Sequence, residues 1–94
     1  MKFPVRSVED LALLLRAVRK SARVRQDDLA ATAGVSKQFA ADVERGKPTV
    51  QLGLVLRLLA EAGVTLNAEI PDSAAEEVDR QRAKRNAKAH AHDA

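Results

Sequence analysis

Polar and apolar positions follow two different periods along the chain. Over residues 8–22, Leu11, Leu14, Leu15, Val18 and Ala22 fall at i, i+3, i+4, i+7 and i+11, the spacing that lines one face of an α-helix. Ser7 precedes the run as an N-cap, and Glu9 and Asp10 sit in the first turn, where the helix dipole favours acids. Arg19, Lys20 and Arg23 gather at the other end, where it favours cations. A second, short helix is predicted over 26–33, with Leu29, Ala30 and Ala33 inward and Asp27 and Asp28 in its first turn. Gly34 ends it, because glycine enters the left-handed conformation without steric cost. Ser36 caps a third helix that runs to about Arg45 and stops at Gly46-Lys47-Pro48. Only Val35 and Ser36 separate Gly34 from that helix, so the two helices cross steeply, the geometry of a helix-turn-helix.

Thr49 is placed to cap or immediately precede a fourth helix over about 50–62. Leu52, Val55, Leu56 and Leu59 form one apolar face, and Leu54 and Leu58 add apolar surface on another side. A helix this apolar is buried on more than one side, in its own core or against a partner. Gly63 ends it. The period then changes to two: Val64, Leu66, Ala68 and Ile70 alternate with Thr65, Asn67 and Glu69 before Pro71. This pattern predicts a β-strand, and no second strand candidate exists in the chain. A lone strand leaves its backbone groups unpaired, so the expected partner is the same strand of another copy across a two-fold axis, the alternative being an extended segment that lies on its own domain. Residues 72–94 carry Asp72, Glu76, Glu77 and Asp79 ahead of Arg80, Arg82, Lys84, Arg85 and Lys88. Ser73 with Glu76 has the form of a capping box, yet Val78 is the one large apolar residue, so a fraying helix or a disordered arm is expected. The division is a domain over 1–71 and a charged tail over 72–94. The expected class is mainly α, with four or five helices and one strand paired across a dimer.

Composition changes this picture in only a few places. A chain of 94 residues is one small domain and gains from dimerisation. Cysteine is absent, which excludes disulfides and thiolate metal sites. The net charge is +3, and from Arg16 to Arg25 five bases (Arg16, Arg19, Lys20, Arg23, Arg25) occur with no acid, a patch that suits a polyanion. No run approaches the ~20 apolar residues of a membrane span, and the N-terminus has no apolar signal segment, so a cytoplasmic protein is expected. No carboxylate pair stands in a catalytic setting, no nucleophile has a base beside it and no glycine-rich phosphate loop occurs. Neither an enzyme nor a cofactor is expected. His90 and His92 read as incidental rather than as metal ligands.

Within the two short helices, Ala30 must be small for the third helix to cross it, and Leu29, Val35 and Val43 lock the pair onto the core. The outer side then holds Ser36, Lys37, Gln38, Ala41 and Asp42. Lys37 and Gln38 are long donors at the helix start, the end that enters the major groove in this motif. Lysine suits guanine O6/N7, and glutamine can bond adenine through two atoms.

Gln26, Leu29, Ala30, Gly34, Val35, Val43, Glu44 and Gly46 resemble the Xre/Cro-type helix-turn-helix of the five-helix, lambda-repressor-like class. The pattern Q-x-x-L-A-x-x-x-G-V-S followed by V-E-R-G-K carries the likeness, over about residues 8–70. The continuation "ERGKPTVQLGLVLRLLAEAGVTL" resembles the HipB-type antitoxin branch, whose members end in a strand shared between subunits. Ala40 departs from the larger aliphatic residue usual there, and Phe39 is a bulky group on the recognition helix. The resemblance implies DNA base contacts from Ser36, Lys37, Gln38 and Asp42, and phosphate contacts from Gln26, Arg23, Arg25, Arg45 and Lys47. It also implies an Arg19–Glu44 ion pair that fixes the motif on its scaffold. The function implied is a nucleoid-associated homodimeric repressor. It would bind a palindromic operator, restrain a HipA-like kinase toxin and repress the operon they share. Two alternatives stand beside it: a stand-alone regulator without a toxin, and an interaction or inhibitor module that uses the fold as scaffold.

Overall fold

The computed structural model describes residues 1–93, with side chains described through Ala89. Five α-helices follow one another: α1 (Val8–Ser21), α2 (Gln26–Ala33), α3 (Lys37–Glu44), α4 (Leu52–Glu61) and α5 (Ala75–Asp93), the last preceded by a 3-10 turn at Asp72–Ala74. The start of α1 is set by local chemistry. Ser7 Oγ accepts the Asp10 N–H at 3.1 Å, and the Asp10 carboxylate turns back to accept from the Arg6 N–H at 3.0 Å. One of the helix's orphan donors, the Asp10 N–H, is thereby satisfied, and the Arg6 N–H just ahead of the helix finds an acceptor.

The first four helices end in one way. A backbone N–H reaches back five residues: Val24 to Arg19, Val35 to Ala30, Lys47 to Asp42 and Val64 to Leu59. Each such closure needs a left-handed residue just before the donor. Glycine fills that place at Gly34, Gly46 and Gly63, and Arg23 fills it after α1 with φ 59°. At Gly34 (φ 73°) the corner brings α3 directly across α2. A β-carbon at Gly34 would lie 2.5 Å from Arg57 Nη2, the far end of a flexible side chain that can swing away. Backbone conformation therefore sets the requirement. Gly34→Ala is expected to cost about 1–2 kcal/mol, and to cost the same in an Arg57→Ala background. Urea titrations of both variants check this; a loss that disappears without Arg57 would move the cause to crowding.

Leu15, Leu29, Ala30, Ala33, Ala40, Val43, Val55, Leu58 and Leu59 form one buried core, with Leu11, Val35, Phe39, Val50, Ala62 and Val64 packed at its edge. The alanines at the α2–α3 crossing are almost inaccessible, Ala30 and Ala40 at 1% each. Small residues there let the two helix backbones approach closely.

Three expectations need correction. Thr49 does not cap α4, which starts at Leu52 with Gln51 at its N-cap and no side-chain capping bond. Val50 is drawn against the core, so the chain stays extended past Pro48 and Thr49 before it coils. The inward face of α4 is Val55, Leu58 and Leu59, whereas Leu52 (66% exposed) and Leu56 (46%) point outward. With leucines on three sides, packing against α2, not pattern, chooses the buried stripe. In the tail, Ser73 lies inside the 3-10 turn rather than at a helix N-cap, and no described hydrogen bond joins it to Glu76. The tail is nonetheless helical over 19 residues. Glu76 and Glu77 occupy its first turn and the bases follow, which suits the helix dipole. Glu77 accepts from Gln81 Nε2 and Arg80 Nε, both at 2.7 Å. Those hydrogen bonds hold the Glu77 carboxyl below its ordinary range.

Residues 64–71 carry no regular secondary structure in the single chain. A ladder whose expected partner is a second copy cannot form in one chain. Val64 packs on the core edge, while Leu66 (42%) and Ile70 (48%) are exposed.

Candidate nucleic-acid interface

The outer side of α3 is fixed from beneath. Ala40 and Val43 are buried and Phe39 packs half-buried against the core, so Lys37 and Gln38 are held outward in the first turn, both exposed. Ser36, in extended conformation, caps the helix by accepting the Phe39 N–H at 3.0 Å. The first turn of α2 lies alongside. Burial raises the Asp27 carboxyl, but Arg25, backbone N–H groups and the Lys37 charge together bring it below its ordinary value. Lys37 is thus electrostatically coupled to the start of α2, where Gln26 is half-buried and Arg25 extends to solvent. Lys37 and Arg25 are two exposed cations acting on one carboxylate, Asp27, at the start of α2.

Asp42 gathers a second group. Its carboxylate accepts from Gln38 Nε2 at 2.9 Å, pairs with Arg45, and lies 3.6 Å from Lys47 Nζ. The Gln38 hydrogen bond, then the charges of Lys47 and Arg45, hold this carboxyl below its ordinary range despite its partial burial. One base-contact candidate and two phosphate-contact candidates are therefore linked through a side chain that is only 14% exposed.

Behind the surface, α1 clamps the end of α3. Arg19 Nε and Nη2 donate to the two Glu44 carboxylate oxygens at 2.7 and 2.9 Å, and Arg19 Nη1 donates to the Val24 carbonyl at 2.9 Å. Arg16 Nη2 donates to the Glu44 backbone carbonyl at 2.7 Å. The Arg16–Arg25 basic patch is accordingly smaller than its sequence suggests. Arg16 and Arg19 serve the scaffold, and Arg25 pairs with Asp27 through two bonds of 3.1 Å. Arg23 and Lys20 remain exposed, and no described hydrogen bond joins the Arg23 side chain to another residue. Sequence reasoning missed the Arg16 contact and the position of Arg57 over Gly34. The only trace of the first is the i, i+3 spacing of Arg16 and Arg19, which puts them on one helix face.

Among the described residues no cluster of three His, Asp or Glu side chains could hold a metal ion. His90 and His92 lie outside the described side chains. No described helix is long and apolar enough to cross a membrane.

Residues 10–69 match the family model of the helix-turn-helix domain. A relative from Sinorhizobium fredii, named as an uncharacterized HTH-type transcriptional regulator y4mF, is 42% identical over 67 residues, which cover 71% of this chain and 88% of the relative. Among solved structures, a chain of the HipA-HipB-O2-O3 complex superposes with a TM-score of 0.69 at 17% identity, over 76% of this chain and 100% of the other. A chain of the HipB-O4 20mer complex gives the same TM-score, identity and coverage. At that identity the likeness is one of fold.

Proposed function

Since the chain belongs to the helix-turn-helix domain family, we propose that it is a sequence-specific DNA-binding repressor that works as a homodimer, the antitoxin of a HipBA-like pair. The observation that carries the DNA part is the first turn of α3. Lys37 and Gln38 stand outward there beside the start of α2, on a helix that the Arg19–Glu44 pair fixes to α1. Lys37, Gln38 and Ser36 read base edges in the major groove. Gln26, Arg23, Arg25, Arg45 and Lys47 hold phosphates, which positions the protein without specifying sequence. A protein acting in this way on chromosomal DNA would reside in the cytoplasm with the nucleoid.

Two such surfaces reading successive major grooves stand about 34 Å apart on a palindromic operator. The exposed Leu66 and Ile70 support a subunit contact through residues 64–70, in which Val64, Leu66, Ala68 and Ile70 form one side of a shared strand. The fold likeness to HipB, seen in a complex that also names HipA, supports a kinase-like toxin as the further partner.

Footprinting on the DNA upstream of its own gene at low salt tests the first claim, and absence of any protection would sink it. Lys37→Ala is expected to lose about 1–3 kcal/mol on the selected site. Arg23→Ala should weaken binding to all sequences alike and reduce the salt slope by about 0.9. A sedimentation experiment giving a monomer at micromolar concentration would exclude the shared strand. A neighbouring gene without kinase-like features would leave the stand-alone regulator as the better reading.

A further inference from the structure

We propose that Asp42 is a positioning residue that fixes the amide orientation of Gln38 and thereby makes Gln38 a reader of adenine rather than guanine. The proposal rests on the DNA-binding reading above. An ionised carboxylate only accepts hydrogen bonds, so the Gln38 side chain must turn Nε2, and not Oε1, toward Asp42. The observed bond, Gln38 Nε2 to Asp42 Oδ1 at 2.9 Å, has this sense. Asp42 is held charged near neutral pH by the groups that face it, Gln38, Arg45 and Lys47. The orientation is therefore set by charge.

One Nε2–H and the whole of Oε1 remain for a ligand. Adenine offers a matching pair in the major groove, the N7 acceptor and the N6 donor. Guanine offers two acceptors, N7 and O6, and one of them would meet Oε1. An amide free to rotate could turn both N–H groups to guanine, but here that rotation would break the bond to Asp42. Arg45 and Lys47 complete the device: they offset a negative charge that would otherwise stand near phosphates. Asp42 itself, mostly covered, makes no base contact in this scheme.

Two measurements on the full chain test it. In the DNA-free protein, the NMR signals of the Gln38 side-chain amide should shift with protonation of Asp42, at a midpoint below the ordinary aspartate range. Amide signals that ignore the Asp42 titration overturn the proposal and leave the DNA reading intact. In competition binding, the wild-type chain should prefer adenine at one base pair, and Gln38→Ala should abolish that preference. Asp42→Asn should lower discrimination against guanine at the same base pair about fivefold or more, while general DNA affinity stays equal or rises because a negative charge is gone. The double variant should lose no more than Gln38→Ala alone. An Asp42→Asn protein that keeps the full preference, or one that weakens all sequences equally, overturns the proposal. A wild-type chain that selects no sequence overturns the DNA reading, and the NMR result then still decides whether the carboxylate holds the amide.

Discussion

Glu44→Ala is expected to destabilise the chain by about 3–5 kcal/mol, a large share of the roughly 5–10 kcal/mol that holds a domain of this size together. The reason lies in what the substitution leaves behind. The Glu44 side chain is 5% exposed and that of Arg19 is 12% exposed, and their two hydrogen bonds have fork-to-fork geometry. Hydrogen bonding to Glu44 raises the Arg19 pKa further, so the guanidinium stays charged at any pH the protein survives. Without Glu44 that buried charge keeps only the Val24 carbonyl. Burying an unpaired charge costs far more than the net value of the pair. Replacing both partners by apolar residues of similar size should therefore cost clearly less than Glu44→Ala alone. Urea unfolding followed by circular dichroism checks both statements. A loss under about 1 kcal/mol for Glu44→Ala would mean that the pair behaves as a solvated surface bridge.

Leu58→Ala should follow closely, at about 3–5 kcal/mol. Leu58 is 0% exposed and contacts the core from the middle of α4. Truncation removes its transfer free energy and leaves a cavity in the buried core. Leu56, two residues earlier and chemically identical, is 46% exposed. Leu56→Ala should cost under about 1 kcal/mol in the monomer. The pair of variants isolates burial from residue type. Any larger effect of Leu56→Ala that grows with protein concentration would mark the outer leucines of α4 as a subunit contact. Equal losses for the two leucines at low concentration would contradict the orientation of α4.

The contrast between these leucines also shows where sequence patterns lose their power. The α2–α3 pair is legible because its determinants are local: Ser36 as a cap, Gly34 as a left-handed closure, and alanines at the crossing. Each acts within a few residues of itself. The facing of α4 is not local. Leu52, Leu56, Leu54 and Leu58 offer several equivalent apolar stripes, and only packing against α2 selects one. The Arg16 bond to the Glu44 carbonyl spans 28 residues and follows from no residue pattern. The basic run from Arg16 to Arg25 reads as one patch in sequence, yet the fold ties the guanidinium groups of Arg16 and Arg19 to Glu44. Residues 64–70 show the opposite case. Their alternation is plain, yet residues 64–71 of the single chain take no regular secondary structure. In the tail, the helical of the two expected forms is the one adopted, sustained by charge placement and alanine content without a packed face. At the candidate interface, the residue types on α3 were legible, whereas the link from Gln38 through Asp42 to Arg45 and Lys47 depends on side-chain geometry.

Arg23 sets stability against charge at a single position. Among the described residues it is the one non-glycine at a positive φ, and it closes α1 in the place that glycine takes after α2, α3 and α4. An arginine held there costs on the order of 1 kcal/mol, part of which glycine would return as unfolded-chain entropy. A library selected only for survival of heat should therefore drift toward glycine at this site. A library selected for occupancy of DNA should hold the arginine and gather compensating changes elsewhere in the core. The residue recovered at position 23 would report which of the two pressures had acted.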